Sequence, residues 1–61
     1  MVKNNLFPGD LNFLADESVV IDDNNRAWQK RGDEWVSYKR EPKDAFELWD
    51  KYRPITLAWE R

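Results

Sequence analysis

The residue types that carry catalysis or metal binding are scarce in this sequence. It contains no histidine and no cysteine, and its hydroxyl residues other than tyrosine are Ser18, Ser37 and Thr56. None of these hydroxyls has an evident base partner, which nucleophilic catalysis requires. The adjacent carboxylates Asp22 and Asp23 could bind a divalent cation, but their run lacks the alternating oxygen ligands and central glycine of a calcium loop. The sequence therefore predicts a protein that is not an enzyme, with no catalytic residue, no metal site and no cofactor.

Basic and aromatic side chains are interleaved through the middle of the chain. Arg31, Lys39 and Arg40 lie close in sequence to Trp35 and Tyr38. Tryptophan, tyrosine and arginine dominate the energetics of protein interfaces. We therefore expect these five residues to form a partner-binding surface.

The same combination can bind nucleic acid, because aromatic rings stack on bases while cations contact phosphates. The net charge of −2 and the pI of about 5.0 argue against it, since phosphate-binding domains are usually basic. Residues 10–23 carry acidic charges alone, which suggests phosphate mimicry, although mimicry needs a field of one sign. Protein binding is the favoured hypothesis, and nucleic-acid binding or DNA mimicry is the alternative.

The length of 61 residues predicts one domain over residues 1–61, near the lower limit at which a hydrophobic core suffices for folding. Large aromatic side chains can compensate, and they make up 15% of the chain. The polar residues 1–5 are expected to be disordered. No apolar run resembles a signal peptide or a membrane span, so a cytoplasmic location without membrane association is expected.

The elements that must position the aromatic residues begin with a hairpin. Residues 18–22 form the clearest strand, a polar cluster at residues 22–25 predicts a tight turn, and residues 26–31 form the returning strand. The two-residue loop is either Asp23-Asn24 or Asn24-Asn25. Both registers place Val19, Ile21 and Trp28 on one face, which is the predicted core.

Residues 34–39 form the third strand of the meander, after a turn at Gly32-Asp33. A two-residue loop would set Trp35 and Ser37 beside Trp28, whereas a bulged three-residue loop would set Val36 and Tyr38 there. The bulged loop gives the more apolar core. It would leave Trp35 on the opposite face, available to a partner.

A short helix and a final strand complete the chain. Asp44 and Glu47 have the spacing of a capping box, and an apolar stripe follows at helical spacing through residue 52. Pro54 limits the helix to about two turns. Residues 55–59 then alternate as a strand with Ile55, Leu57 and Trp59 on one face. The segment 7–10 is predicted to be a turn, and residues 11–14 fit either a strand or a helical turn.

The predicted fold class is α+β, with a three-stranded meander plus a C-terminal strand in one small antiparallel sheet and a single short helix before the last strand. An SH3-like partial barrel is a variant of this arrangement. A homodimer through an exposed sheet edge is a further expectation that the sequence leaves open.

Several segments together carry a resemblance. They are Leu6-Phe7-Pro8-Gly9, Ser18-Val19-Val20-Ile21-Asp22, Arg26-Ala27-Trp28-Gln29, Gly32-Asp33-Glu34-Trp35 and Pro54-Ile55-Thr56-Leu57. In combination they resemble small uncharacterised proteins of actinobacteria and their bacteriophages, which pair a Trp-rich hairpin with a short helix and a Pro-led strand. The resemblance implies a phage or actinobacterial origin. With it, the expected function is to bind and modulate a host protein in the host cytoplasm.

Overall fold

Four antiparallel strands and two short helices make up the fold in the computed structural model, which describes residues 5–60. The elements in chain order are α1 (Pro8–Phe13), β1 (Val19–Ile21), β2 (Ala27–Arg31), β3 (Glu34–Val36), α2 (Ala45–Tyr52) and β4 (Thr56–Trp59). The strands form one sheet in the order β3-β2-β1-β4. This confirms the α+β class, the meander, and a C-terminal strand that follows a helix. The sheet is open, with β3 and β4 at opposite edges, and not a partial barrel. Residues 1–5 were predicted to be disordered. Of these, residues 1–4 lie outside the described part of the chain.

Helix α1 corrects the prediction of a single helix and of a turn at residues 7–10. Pro8 occupies the first helical position, where its missing N–H costs nothing. The Asp10 carboxylate reaches back to accept a hydrogen bond from the Phe7 backbone N–H at 3.0 Å. The helix is six residues long, which is too short for hydrophobic periodicity to reveal. Its buried residue Leu11 joins the core.

The buried side chain of Asp22 organises the turn between β1 and β2. One carboxylate oxygen accepts hydrogen bonds from the backbone N–H groups of Asn24 at 2.8 Å and Arg26 at 2.9 Å. The other accepts from the indole N–H of Trp28 at 2.9 Å. Asn25 takes a left-handed conformation with φ of 62°. Asp22 and Arg26 are joined by a backbone bond of 3.0 Å, so the loop has three residues rather than two.

The three-residue loop shifts the strand pairing by one residue relative to both predicted registers. Val20 pairs with Trp28, and Ile21 pairs with Ala27. A shift by one residue exchanges the faces of a strand, so Val20 points into the core with Trp28 while Val19 and Ile21 point outward. The predicted core face was therefore correct for Trp28 and wrong for Val19 and Ile21.

The turn between β2 and β3 has the two-residue loop that the sequence analysis disfavoured. Arg31 pairs with Glu34 across Gly32-Asp33, and Gly32 supplies the left-handed φ of 60°. Trp35 pairs with Lys30 and is 1% exposed. The prediction that Trp35 lies on an outward face is wrong, because this register aligns it with Trp28 in the core.

Lys30 reaches the core face, where its side-chain nitrogen is hydrogen-bonded. Its side chain is 7% exposed, and its ammonium donates to the carbonyl oxygens of Asn12 at 2.9 Å and Leu14 at 2.6 Å. These carbonyls lie at the C-terminal end of α1, where a cation compensates carbonyl groups that lack helical partners. Lys30 therefore fixes α1 to the sheet.

Helix α2 packs against the sheet through its apolar stripe. The Asp44 carboxylate accepts from the Glu47 N–H at 2.8 Å, which confirms the predicted N-cap. The helix spans eight residues and ends before Arg53, also as predicted. Its Ala45 and Leu48 are buried in the core. The fully or nearly buried apolar residues are Leu6, Leu11, Leu14, Val20, Trp28, Trp35, Ala45, Leu48 and Ile55.

Candidate functional site

Both helices lie on one face of the sheet, and no described element packs against the other face. We call this second side the outer face. Its residues, assigned by strand pairing, are Val19, Ile21, Ala27, Gln29, Arg31, Glu34, Val36, Thr56 and Trp59. Each of them is half-buried or exposed. Each strand thus presents at least one apolar side chain to solvent on this face, whereas the charged residues Arg31 and Glu34 lie at its far end, beside the β2–β3 turn.

A bulge brings Trp59 to the outer face. Along β4, Leu57 pairs with Val20, but Trp59 pairs with Val19, so Ala58 is the extra residue. One unpaired residue reverses the alternation of side chains. Leu57 therefore packs against the core, whereas Trp59 is 53% exposed. The prediction that Trp59 shares a face with Ile55 and Leu57 is wrong for this reason.

A shallow groove crosses the outer face between β1 and β3. It has a volume of about 420 Å³. Val19, Ala27 and Val36 supply much of its apolar lining, and Tyr38 stands at one end. The ring of Tyr38 is 84% exposed, so a partner in the groove would contact it directly.

The groove leads into a second depression that is lined by cations. This region, which we call the cationic corner, is formed by Arg26, Tyr38, Lys39 and Arg40 together with Ala27 and Ser37. The hydroxyl of Ser37 donates to the Ala27 carbonyl at 2.7 Å and holds the end of β3 against β2. Because both depressions share Ala27, Ser37 and Tyr38, the apolar groove and the cationic corner form one continuous surface.

The three cations of this corner form no ion pair within residues 5–60. The ammonium of Lys39 lies over the Tyr38 ring, 5.4 Å from its centre. Cations clustered without counter-charges create a local positive potential. This corner is therefore positive on a chain whose net charge is −2.

The predicted partner-binding residues separate into three groups. Tyr38, Lys39 and Arg40 lie together in the cationic corner. Arg31 is exposed at the far end of β2, about 13 Å from Ala27 at roughly 3.3 Å per residue. Trp35 is buried, so it cannot contact a partner in this structure.

Val19, Ile21, Val36, Trp59 and Arg26 were not predicted to lie at the site. The missing signal was the length of the β1–β2 loop for Val19 and Ile21 and the length of the β2–β3 loop for Val36, since a single residue decides which face each strand residue occupies. The aspartate followed by two asparagines in Asp22–Arg26 could have indicated a three-residue loop with Asn25 in the left-handed conformation. The bulge that exposes Trp59 has no evident sequence signal.

A second exposed aromatic cluster lies on the helical side. Phe7 and Phe46 are more than half exposed, and their ring centres lie 6.0 and 5.9 Å from that of Trp49. The Arg53 guanidinium stacks over Trp49 at 4.5 Å from its centre. These side chains largely contact one another. We therefore treat this cluster as a comparison surface rather than as the site.

The described residues contain no group of three or more carboxylates arranged to hold a metal ion. Within the same range, no helix is long and apolar enough to cross a bilayer.

Comparison with known proteins returned no matching protein-family model, no matching curated protein and no matching solved structure.

Proposed function

We propose that this protein is a small, non-enzymatic binding module that recognises another protein through its outer face. The observation that carries the proposal is the continuous surface formed by the apolar groove and the cationic corner. Monomeric proteins usually keep contiguous apolar surface small, and larger patches commonly mark interaction sites. The exposed rings of Tyr38 and Trp59 supply the residue types that contribute most to interface energies.

The biological setting of the proposal comes from the resemblance to small actinobacterial and phage proteins. In that setting the module is encoded by a phage or a bacterium, acts in the host cytoplasm, and modulates the host protein that it binds. The outer face supports the binding part of this proposal. The host setting depends on the resemblance.

Affinity capture tests the proposal. The tagged protein is incubated with nuclease-treated actinobacterial lysate at low and high salt, beside a Tyr38→Ala variant. Phe46→Ala is the matched control, because it removes an exposed aromatic ring from the helical side. We expect one host protein to be retained at high salt by the wild type and the control, and lost from Tyr38→Ala. Loss from Phe46→Ala but not from Tyr38→Ala would transfer the site to the helices and refute the proposal.

Nucleic-acid binding is the second candidate, and one observation favours it. The exposed Tyr38 ring is surrounded by Arg26, Lys39 and Arg40, which is the combination of stacking platform and cations that binds single strands. Such binding weakens steeply as salt rises, because phosphate contacts release counterions. Recovery of nucleic acid that high salt removes, with no retained protein, would select this function instead.

A further inference from the structure

The chemistry of the outer face specifies the kind of segment that it accepts. We propose that the partner presents an extended peptide segment in which aliphatic and acidic side chains alternate. The aliphatic residues would lie in the groove and the carboxylates in the cationic corner. This inference rests on the proposed function and deepens it, since it assigns the partner chemistry of the same surface.

The apolar half of the surface favours aliphatic side chains over nucleic-acid bases. Val19, Ala27 and Val36 line the groove, and their aliphatic side chains offer no flat ring for a base to stack upon. Tyr38, at the end of the groove, is the aromatic residue among its exposed lining, and the other exposed ring of the outer face, that of Trp59, lies on β4 beyond Val19. A stacking surface for a nucleic-acid strand instead requires successive aromatic platforms.

The polar half of the surface favours carboxylates. Arg26, Lys39 and Arg40 converge on one depression whose lining contains no acidic residue. Guanidinium groups match the planar geometry of carboxylates and can bind them through paired hydrogen bonds. Within residues 5–60, no carboxylate already pairs with these cations, so incoming acidic groups would not have to displace one.

The shape of the surface favours an extended segment. The groove and the corner share Ala27, Ser37 and Tyr38, so apolar and cationic regions follow one another along a continuous path. Successive side chains of an extended peptide point in opposite directions, so that alternate residues share one side. A peptide that lies along the boundary between the two depressions can therefore direct the carboxylates on one of its sides into the corner. The aliphatic residues on its other side then contact the valines of the groove.

The test uses a short capped peptide of alternating glutamate and valine, titrated into nitrogen-15-labelled full-length protein. We expect amide shifts concentrated at Ala27, Val36, Ser37 and Tyr38, with little change in α2. Replacing any one cation of the corner, for example Arg40→Gln, should weaken binding about threefold, as exposed charge pairs do. Arg31→Gln, which removes the same charge at the far end of β2, should weaken it less than twofold.

Three further arms decide the outcome. A lysine and valine peptide of the same length should bind at least tenfold more weakly than the glutamate and valine peptide; equal binding would overturn the inference. Tighter binding of a thymidine oligonucleotide at the same amides would assign the surface to nucleic acid and overturn it as well. Shifts at these amides on diluting the protein alone would identify a second copy as the occupant, again against the inference.

These outcomes are separable from those of the proposed function. A captured host protein that depends on Tyr38, combined with no response to the glutamate and valine peptide, would refute the partner chemistry alone. Peptide binding that is weakened about threefold in each of the Arg26→Gln, Lys39→Gln and Arg40→Gln variants, and by less than twofold in Arg31→Gln, supports it directly.

Discussion

Removing the Asp22 carboxylate should destabilise the protein more than any other single change to a polar side chain. Its two oxygens accept three hydrogen bonds, from the Asn24 and Arg26 backbones and from the Trp28 indole. The residue is 5% exposed, and Trp28 is fully buried. In Asp22→Ala, the indole N–H loses its acceptor in the core and both loop amides must find water.

The magnitude follows from these three contacts. An unsatisfied buried donor costs about 2 kcal/mol, and each of the two partly solvated amides costs about 1 kcal/mol, which together give about 4 kcal/mol. A domain of this length has a total stability of roughly 3 to 9 kcal/mol. We therefore expect Asp22→Ala to lose between roughly half and all of the stability of the domain. Asp22→Asn keeps one acceptor oxygen for the loop and should lose about 2 kcal/mol.

The assay is urea unfolding followed by far-ultraviolet circular dichroism. With a slope of about 1 kcal/mol per molar urea for so small a domain, Asp22→Asn should lower the midpoint by about 2 M. Asp23→Ala is the matched control, because it removes the neighbouring exposed carboxylate of the same loop. Its effect should stay within about 0.5 kcal/mol, as for most surface substitutions.

A double-mutant cycle isolates the indole contact. In a Trp28→Phe background the N–H is absent, so Asp22→Asn should cost little. The coupling free energy between the two positions should therefore be about 1.5 to 2 kcal/mol. A coupling below about 0.5 kcal/mol, or an Asp22→Ala variant as stable as Asp23→Ala, would refute the role assigned to this carboxylate.

Three further predictions follow from the burial and contacts of single side chains. Trp35→Ala should cost about 3 to 5 kcal/mol in thermal or urea unfolding because its ring is in the core, whereas Trp59→Ala should cost less than about 1 kcal/mol; the reverse order would contradict the assigned strand faces. Lys30→Met should lower the free energy of unfolding by about 1 to 3 kcal/mol, because it removes two charged hydrogen bonds to α1. It should also speed hydrogen exchange at the Leu11 amide more than at the Val20 amide, and unchanged exchange at Leu11 would show that other contacts hold α1. Asp44→Ala should cost about 1 kcal/mol through loss of the helix cap, measured by the same unfolding assay, and an unchanged midpoint would contradict it.

Local signals in the sequence were sufficient to predict much of the fold. The spacing of Asp44 and Glu47, together with the stop at Pro54, predicted α2 because capping and chain breaking act within a few residues. The β-branched run at residues 18–22 and the glycine turn predicted the meander. Helix α1 was missed, since six residues carry too little periodicity and its cap is the less common reach of Asp10 back to Phe7.

The faces of the strands could not be predicted from the same signals. The Asp22 carboxylate accepts hydrogen bonds from the backbone N–H groups of Asn24 and Arg26, and the first loop has three residues instead of the expected two. This extra residue exchanges the faces on which Val19, Val20 and Ile21 lie. The bulge at Ala58 has the same effect on Trp59. Because the period of a strand is two, each of these one-residue changes alters the whole composition of a surface. The sequence grouped Tyr38, Lys39 and Arg40, which follow β3, and the structure places them together. Trp35 was wrongly expected on an outward face, because the β2–β3 loop has two residues rather than three.

The most direct test of the outer face as the binding surface is a nitrogen-15 relaxation and shift map of the labelled protein with its captured partner. The account predicts line broadening and shifts at the amides of Val19, Ala27 and Val36, with α2 unaffected beyond the general slowing of tumbling. Shifts concentrated instead around Phe46 and Trp49, with the strand amides unchanged, would contradict it.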